Sequence, residues 1–166
     1  MFLHKKGYTL VELIVFVLLI GLVLTLAAPR LRNALTGDNL KGAARKMIGI
    51  INNLRNEAIR EQMDYALNFD LEVNRFWISS GSMTDEERAV VREEGSNLPG
   101  DIHIDDVWMK GKGKIVEGVT RIRFTRRGYT RKSAIHLSSE NGRALTLVLS
   151  PFFGKVKVIN KYVDFD

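Results

Sequence analysis

The hydrophobic and polar positions divide the chain into a helical half and an alternating half. Residues Leu13–Ala28 are apolar except for Gly21 and Thr25. Further on, apolar residues recur at 4-3-4-3-4 spacing, as on one face of a helix, at Leu40, Ala44, Met47, Ile51, Leu54 and Ala58. After Met63 the pattern changes to short alternating runs separated by turn residues, which is typical of antiparallel strands. The chain therefore predicts an α+β fold, with a long N-terminal helix packed on a C-terminal antiparallel sheet or small sandwich.

The predicted helix runs from Tyr8 to about Gln62 and would be about 80 Å long at about 1.5 Å per residue. The residues that follow are too few to cover it, so we expect its first half to lie in lipid or among neighbouring subunits. Pro29 removes a backbone donor and predicts a kink rather than an end. Gly37-Asp38 predicts a second weak point. The predicted segments are a hydrophobic transmembrane or filament-core helix at 8–36, an amphipathic helix at 37–63 and a β-rich head at 64–166.

Alternating segments predict the strands of the head at 65–70, 76–78, 102–109, 119–125, 134–137, 144–149 and 155–159. Asn141-Gly142 predicts a hairpin turn between two of these strands. Thr84 followed by Glu87 has capping-box spacing and predicts a short exposed helix. Residues 81–100 around that helix carry five carboxylates. We favour a solvated insertion there over an acidic contact surface.

Composition adds only weak constraints. A chain of 166 residues is expected to form one domain with a modest core. It contains no cysteine, which excludes both a disulfide framework and a thiolate metal site. The formal net charge of +6 permits contact with anionic lipid or nucleic acid but does not require either.

Glu12 is the one acid at the start of the apolar run. A carboxylate at the centre of a membrane helix costs about 2.5 kcal/mol or more, so such a residue usually has a function. A secretory signal peptide explains it poorly, and the only candidate cleavage site, Thr25–Ala28, is followed directly by Pro29. A plain membrane anchor explains the length of the run but not the acid.

A third hypothesis accounts for every residue of this stretch. The sequence from Lys5 through Gly7 to Leu13 resembles the cleavage and methylation signal of type IV prepilins and type II secretion pseudopilins. The resemblance implies a leader peptide at residues 1–7, cleavage after Gly7 and N-methylation of Tyr8, where the family most often has Phe. It also implies that Glu12 pairs with the N-terminal ammonium of a neighbouring subunit during assembly. Such a pair offsets much of the cost of placing either charge in lipid.

Two sequence patterns further along the chain make the resemblance more specific, because they point to one branch of the family. The helix end Leu54–Arg60 and the closing pattern from Ile122-Arg123-Phe124 to Gly154–Val158 resemble the GspH/FimT-like branch of minor pseudopilins, with residues 81–118 as an unmatched insert. This implies a minor pseudopilin of a type II secretion system, assembled through its N-terminal helix into a periplasmic pseudopilus. A FimT-like minor pilin of a type IV pilus, able to bind DNA during uptake, is the alternative. A static membrane-anchored domain is a third hypothesis.

The same resemblance implies where the protein works and with what. We expect a single pass through the bacterial inner membrane with the head in the periplasm, and then a place in the pseudopilus or pilus. The expected partners are a prepilin peptidase that is also an N-methyltransferase, other pilins or pseudopilins, the inner-membrane assembly platform and the lipid bilayer. Nucleic acid is not favoured as a partner.

No pattern in the chain predicts catalysis, a metal or a cofactor. His103 and His136 lie in alternating strands and are expected to be surface or core residues. Asp105-Asp106 is expected to point to opposite faces of its strand, which is wrong for a shared metal site. The glycines and lysines of 111–114 lack the spacing of a phosphate loop and its following Ser or Thr. We therefore expect the substrate of an enzyme rather than an enzyme.

A cluster of basic residues is the remaining candidate site. The arginines that could contact an anion or DNA are Arg121, Arg123, Arg126, Arg127 and Arg131, with Lys132 beside them. They could bind phosphates, and Tyr129 could stack on a base. We favour a solvated basic edge that discourages strand aggregation or meets an acidic neighbour.

Overall fold

A computed structural model describes residues 10–99, 101–151 and 154–165, and for 26–38 it describes only the course of the helix. The chain forms two compact units, residues 1–35 and 36–166. Helix α1 spans Leu10–Arg60 and continues through Gly37 and Asp38, so the weak point predicted there is not a break. The Met63 amide donates to the Ala58 carbonyl at 3.1 Å, and Gln62 between them has a φ of 53°, which is the left-handed ending typical of helices.

Two antiparallel sheets follow the helix. The four-stranded sheet has the order β3-β2-β1-β6, in which β1 is Tyr65–Asp70, β2 Arg75–Ser80, β3 Ser96–Asn97 and β6 Val119–Phe124. The five-stranded sheet has the order β5-β4-β7-β8-β9, in which β4 is Ile102–Met109, β5 Gly113–Ile115, β7 Ser133–Ser139, β8 Ala144–Leu149 and β9 Lys157–Ile159. The predicted α+β fold of an N-terminal helix and antiparallel sheets is confirmed.

The predicted apolar stripe of α1 is the helix side of the core. Every residue of that stripe is at most 4% exposed. It packs in one hydrophobic cluster with residues from both sheets, including Leu67 and Phe69 of β1, Ile122 of β6 and Leu137 of β7. Burial of these side chains is the main favourable term that holds the head together.

A short helix, α2, spans Asp85–Glu93 inside the polar segment. The predicted capping box is present: the Glu87 amide donates to Thr84 Oγ1 at 3.2 Å and the Thr84 amide donates to Glu87 Oε2 at 2.8 Å. No residue of α2 is buried. Arg92 connects it to the sheet through an ion pair with Asp70 at 3.1 Å and by lying over the Trp77 ring.

Candidate functional site

The N-terminal candidate residues fall partly outside the described part of the chain. Gly7 and Tyr8 lie outside the described residues, so cleavage and methylation there stay predictions. Glu12 lies in the first turn of α1. The large apolar side chains between Leu10 and Leu24 are 43% to 77% exposed. An apolar surface of this length needs a partner, because water disfavours it.

The structure gives one further fact about this end of the chain. Within the part whose side chains are described, no helix combines the length and the apolar character that crossing a membrane requires.

The arginine cluster is divided by a tight turn. Arg121 and Arg123 alternate with buried residues along β6 and are exposed. Arg126 and Arg127 lie in the turn that follows, where the Gly128 amide donates to the Thr125 carbonyl at 2.7 Å. Because the chain reverses here, residues that are close in sequence face different surroundings.

Two grooves result from this reversal. The edge groove has a volume of 390 Å³ and is lined by Met109, Lys112, Arg121, Ile122, Arg123, Thr125, Tyr129, Thr130, Arg131 and Ser133. The turn groove has a volume of 680 Å³ and is lined by Gln62, Met63, Asp64, Gly81, Arg123, Thr125, Arg126, Arg127 and Tyr129. Of these two grooves, Arg121 and Arg131 line only the first and Arg126 and Arg127 only the second, whereas Arg123 lines both.

Asp64 neutralises part of this basic surface. Its carboxylate pairs with Arg123 Nε at 3.2 Å and accepts the Arg126 amide at 2.8 Å. Next to it, the Tyr65 hydroxyl donates to the Glu61 carboxylate. That hydrogen bond raises the pKa of Tyr65 to about 12 and lowers the pKa of Glu61. The region therefore mixes both signs of charge.

A buried histidine network was missed by sequence reasoning. His136 and Asp106 are each 1% exposed. His136 Nδ1 lies 2.7 Å from Asp106 Oδ1, and Nε2 lies 2.8 Å from the Val163 carbonyl. Because a carbonyl only accepts, Nε2 donates to Val163, and Nδ1 is hydrogen-bonded to Asp106 on the other side of the ring. We call His136, Asp106, Tyr162 and the Val163 carbonyl the histidine clasp.

The histidine clasp fixes residues 161–165 against the five-stranded sheet. The Tyr162 hydroxyl donates to Asp106 Oδ2 at 2.9 Å, and its ring stacks on His136 at 4.2 Å. Burial raises the pKa of Tyr162. Thr146 Oγ1 donates to the Lys161 carbonyl at 2.7 Å and accepts the Val163 amide at 3.2 Å. Residues 161–165, the C-terminal strap, thereby cover one face of the five-stranded sheet.

The prediction that Asp105 and Asp106 point to opposite faces is wrong. The strand register shifts between Ile104 and Asp106, which is the mark of a β-bulge. The extra residue lets Asp105 accept the Ser138 hydroxyl at 2.5 Å while Asp106 pairs with His136. Both partners lie on the same face of β7. Among the described residues, no group of three or more His, Asp or Glu could hold a metal ion.

Comparisons with known proteins found one matching family model and several similar solved structures. Residues 3–28 match the model of the prokaryotic N-terminal methylation motif. A crystal structure of the minor pseudopilin EpsH from the type II secretion system of Vibrio cholerae is similar over 77% of this chain and 98% of its own, with a TM-score of 0.54 and 12% identity. A second EpsH structure from the same system is similar over 76% and 99%, with a TM-score of 0.53 and 12% identity. Among curated proteins, none matches this chain by sequence.

The motif match and the structural match both test the predicted resemblance to prepilins and pseudopilins. The motif match covers the residues from Lys5 to Leu13 on which the resemblance depended. The structural match shows that the fold of this chain is similar to that of the minor pseudopilin EpsH. The resemblance to prepilin-like minor pseudopilins is therefore confirmed.

Proposed function

We propose that this protein is a minor pseudopilin of a type II protein secretion system. The observation that carries the proposal is the joining, in one chain, of an N-terminal methylation motif to a pseudopilin-like head. The exposed apolar side chains from Leu10 to Leu24 supply the surface that filament packing or lipid would cover. The protein acts as a structural subunit and as the substrate of a prepilin peptidase.

Processing is the first step of the proposed function. Residues 1–7 form a leader that the peptidase removes after Gly7, and the new N-terminal amine of Tyr8 receives a methyl group. Before assembly, residues 8–36 anchor the chain in the inner membrane and the head lies in the periplasm. The described side chains cover residues 10–25 of that anchor.

Glu12 supplies the assembly contact. The N-terminal ammonium of the next subunit carries the opposite charge, and pairing with it offsets much of the cost of placing the Glu12 carboxylate in an apolar environment. The pair forms only when subunits are in register along the filament. It therefore favours ordered assembly over non-specific apolar association.

Mass spectrometry of the protein purified from cells with the secretion system tests the processing step. We expect a mature chain that begins at Tyr8 and carries one added methyl group. A Gly7→Leu variant should keep the leader. A native N-terminus at any residue other than Tyr8 would exclude the proposed function.

Neutral substitution of the acid tests assembly. Glu12→Gln should still be cleaved after Gly7 but should be lost from the assembled filament, because an amide does not neutralise the ammonium. Thr25→Val is the matched control, since the Thr25 hydroxyl is already bonded to the Leu22 carbonyl of its own helix at 2.7 Å. Co-purification with other pseudopilins and secretion into the medium are the measurements. Unchanged assembly of Glu12→Gln would support a static anchor instead.

The alternative of a DNA-binding minor pilin is not favoured. The similar structures are secretion pseudopilins. The arginines that would contact DNA line two grooves, and Asp64 contributes a carboxylate to the second of them.

A further inference from the structure

Strand β6 has an open backbone edge. It is the last strand of its sheet, with β1 on one side only. The Leu71 amide donates to the Gly118 carbonyl at 3.1 Å, so alternation along the ladder directs the backbone groups of even-numbered β6 residues toward β1. The backbone groups of Val119, Arg121 and Arg123 therefore face away from the sheet. Beyond them, an isolated bridge joins Phe124 to Thr130 and ends the open stretch.

This open edge runs along the edge groove. Met109 and Ser133, at paired positions of β4 and β7, line the groove together with Arg121–Arg123 of β6. Its volume of 390 Å³ lies in the range of ordinary binding sites. It is large enough for a few residues of extended chain beside β6.

The groove carries positive charge that the described residues do not neutralise. Lys112, Arg121 and Arg131 line it, and all three are exposed. In the described part of the chain, none of these three forms an ion pair, whereas Arg123 pairs with Asp64. An anionic ligand would gain three charge partners without displacing an existing one.

A buried side-chain hydroxyl, that of Thr130, belongs to a residue that lines the same groove. Thr130 is 6% exposed, and its Oγ1 has no hydrogen-bond partner among the described residues. A buried polar group without a partner is unfavourable, and native proteins rarely keep one. Since Thr130 lines the edge groove, a polar group on a bound ligand is a natural partner for it.

We propose that an extended acidic segment of a partner protein docks on β6 as an additional antiparallel strand. The backbone of this segment forms hydrogen bonds with the backbone of Val119 and Arg121. Its carboxylates, at alternate positions, contact Arg121, Arg131 and Lys112. One of its polar groups forms a hydrogen bond with the Thr130 hydroxyl. This is strand addition to a sheet edge, in which main-chain bonds give affinity and side chains give specificity. It goes beyond the proposed function and does not depend on it.

A peptide fits this groove better than a nucleic acid does. Nucleic-acid sites follow the phosphate chain with many cations, and their affinity depends on the number of phosphates contacted. Here Arg126 and Arg127 line the separate turn groove, next to the Asp64 carboxylate. Three unneutralised cations beside an open strand edge match a short run of carboxylates on an extended chain.

The first test measures the charge contacts. The full-length protein in non-ionic detergent is titrated into a fluorescent heptapeptide with Glu at odd positions and Thr at even positions, and anisotropy is recorded. The double variant Arg121→Gln with Arg131→Gln should weaken binding about tenfold. Arg143→Gln is the matched control, an exposed arginine outside the edge groove, and should leave Kd unchanged. Equal loss in the double variant and in the control would overturn the proposal.

The second test isolates the backbone contacts and needs no protein variant. Two versions of the heptapeptide carry N-methyl groups, one on the Glu nitrogens and one on the Thr nitrogens. In an added strand, only the Glu nitrogens or only the Thr nitrogens can face β6. One N-methylated version should therefore lose binding and the other should keep it. Equal binding by both versions would refute strand addition and leave simple charge attraction.

Two competitors complete the experiment. The peptide with Gln in place of Glu should not displace the labelled probe, and a single-stranded oligonucleotide should displace it only weakly. Displacement by the Gln peptide as strong as by the Glu peptide would remove the role of charge. Stronger displacement by the oligonucleotide would assign the groove to nucleic acid and overturn the proposal.

Discussion

Replacing His136 with Phe should cost the head a large part of its stability. The substitution keeps a ring that can stack on Tyr162, but it removes both N–H donors. Asp106, with a side chain 2% exposed, then keeps the Tyr162 hydroxyl at 2.9 Å and Lys114 Nζ at 3.8 Å, and the Val163 carbonyl loses its donor. Leaving a buried hydrogen-bonding group without its partner typically costs about 1–3 kcal/mol, and more where the group is charged. We expect a loss of free energy of unfolding in that range.

A double-mutant cycle separates the pair from its surroundings. Replacing both His136 and Asp106 with apolar residues removes both partners of their hydrogen bond together, so neither is left buried without the other. The double variant His136→Phe with Asp106→Leu should therefore lose less than the two single variants added together. The difference should be about 2 kcal/mol, within the range found for contacting residues. Additive losses would refute the stabilising contact between His136 and Asp106.

Trp108 provides the assay. Its ring lies 5.0 Å from that of Phe165 in the C-terminal strap, so it reports whether the strap is in place. The chain has only two tryptophans, and Trp77→Phe leaves Trp108 as the single probe. Denaturant titration of the full chain in detergent, followed by its fluorescence, gives the free energies. A red shift below the main transition in His136→Phe would indicate that the strap is released before the sheet unfolds.

Two further predictions concern the turn after β6 and the end of α1. Gly128→Ala should destabilise the protein by about 2–4 kcal/mol in thermal unfolding, because its φ is 75° and a new Cβ would lie 2.7 Å from Ile59 Cδ1. The control Gly142→Ala, where φ is 78° but a Cβ would meet open space, should cost only about 1–2 kcal/mol. Tyr65 should titrate near pH 12 in ultraviolet absorbance and return toward its ordinary value near 10 in Glu61→Gln. Since the raised pKa means tighter proton binding in the folded state, this contribution to stability is complete below pH 10 and lost as the pH rises toward 12.

Local periodicity was enough to predict the helix and most of the strands. The stripe through Met47 and Ile51 faces the core because a helix repeats every 3.6 residues, whatever it packs against. The capping box at Thr84 and Glu87 was equally predictable, since its partners lie within one turn. Such features depend on neighbours in sequence and so can be inferred from the sequence.

The histidine clasp could not be predicted in the same way. It joins Asp106, His136 and Tyr162, which lie about thirty and twenty-six residues apart along the chain, and nothing in the period of the strands links them. The bulge between Ile104 and Asp106 also changes which face each aspartate meets, and one extra residue in a strand leaves no mark in composition. The aromatic residues Tyr162 and Phe165 at the end of a polar tail were the only hint of a strap.

The four outer strands of the two sheets explain why β6 is the edge available for docking. Strands β3, β5 and β9 are two or three residues long, and short edge strands offer little to pair with. Strand β6 has six residues, and its odd-numbered positions direct backbone groups away from the sheet. Exposed arginines at two of these positions oppose pairing with a neutral or basic strand, and Arg121 would favour an acidic one. The exposed arginines that protect this edge from aggregation therefore also favour an acidic strand as its partner.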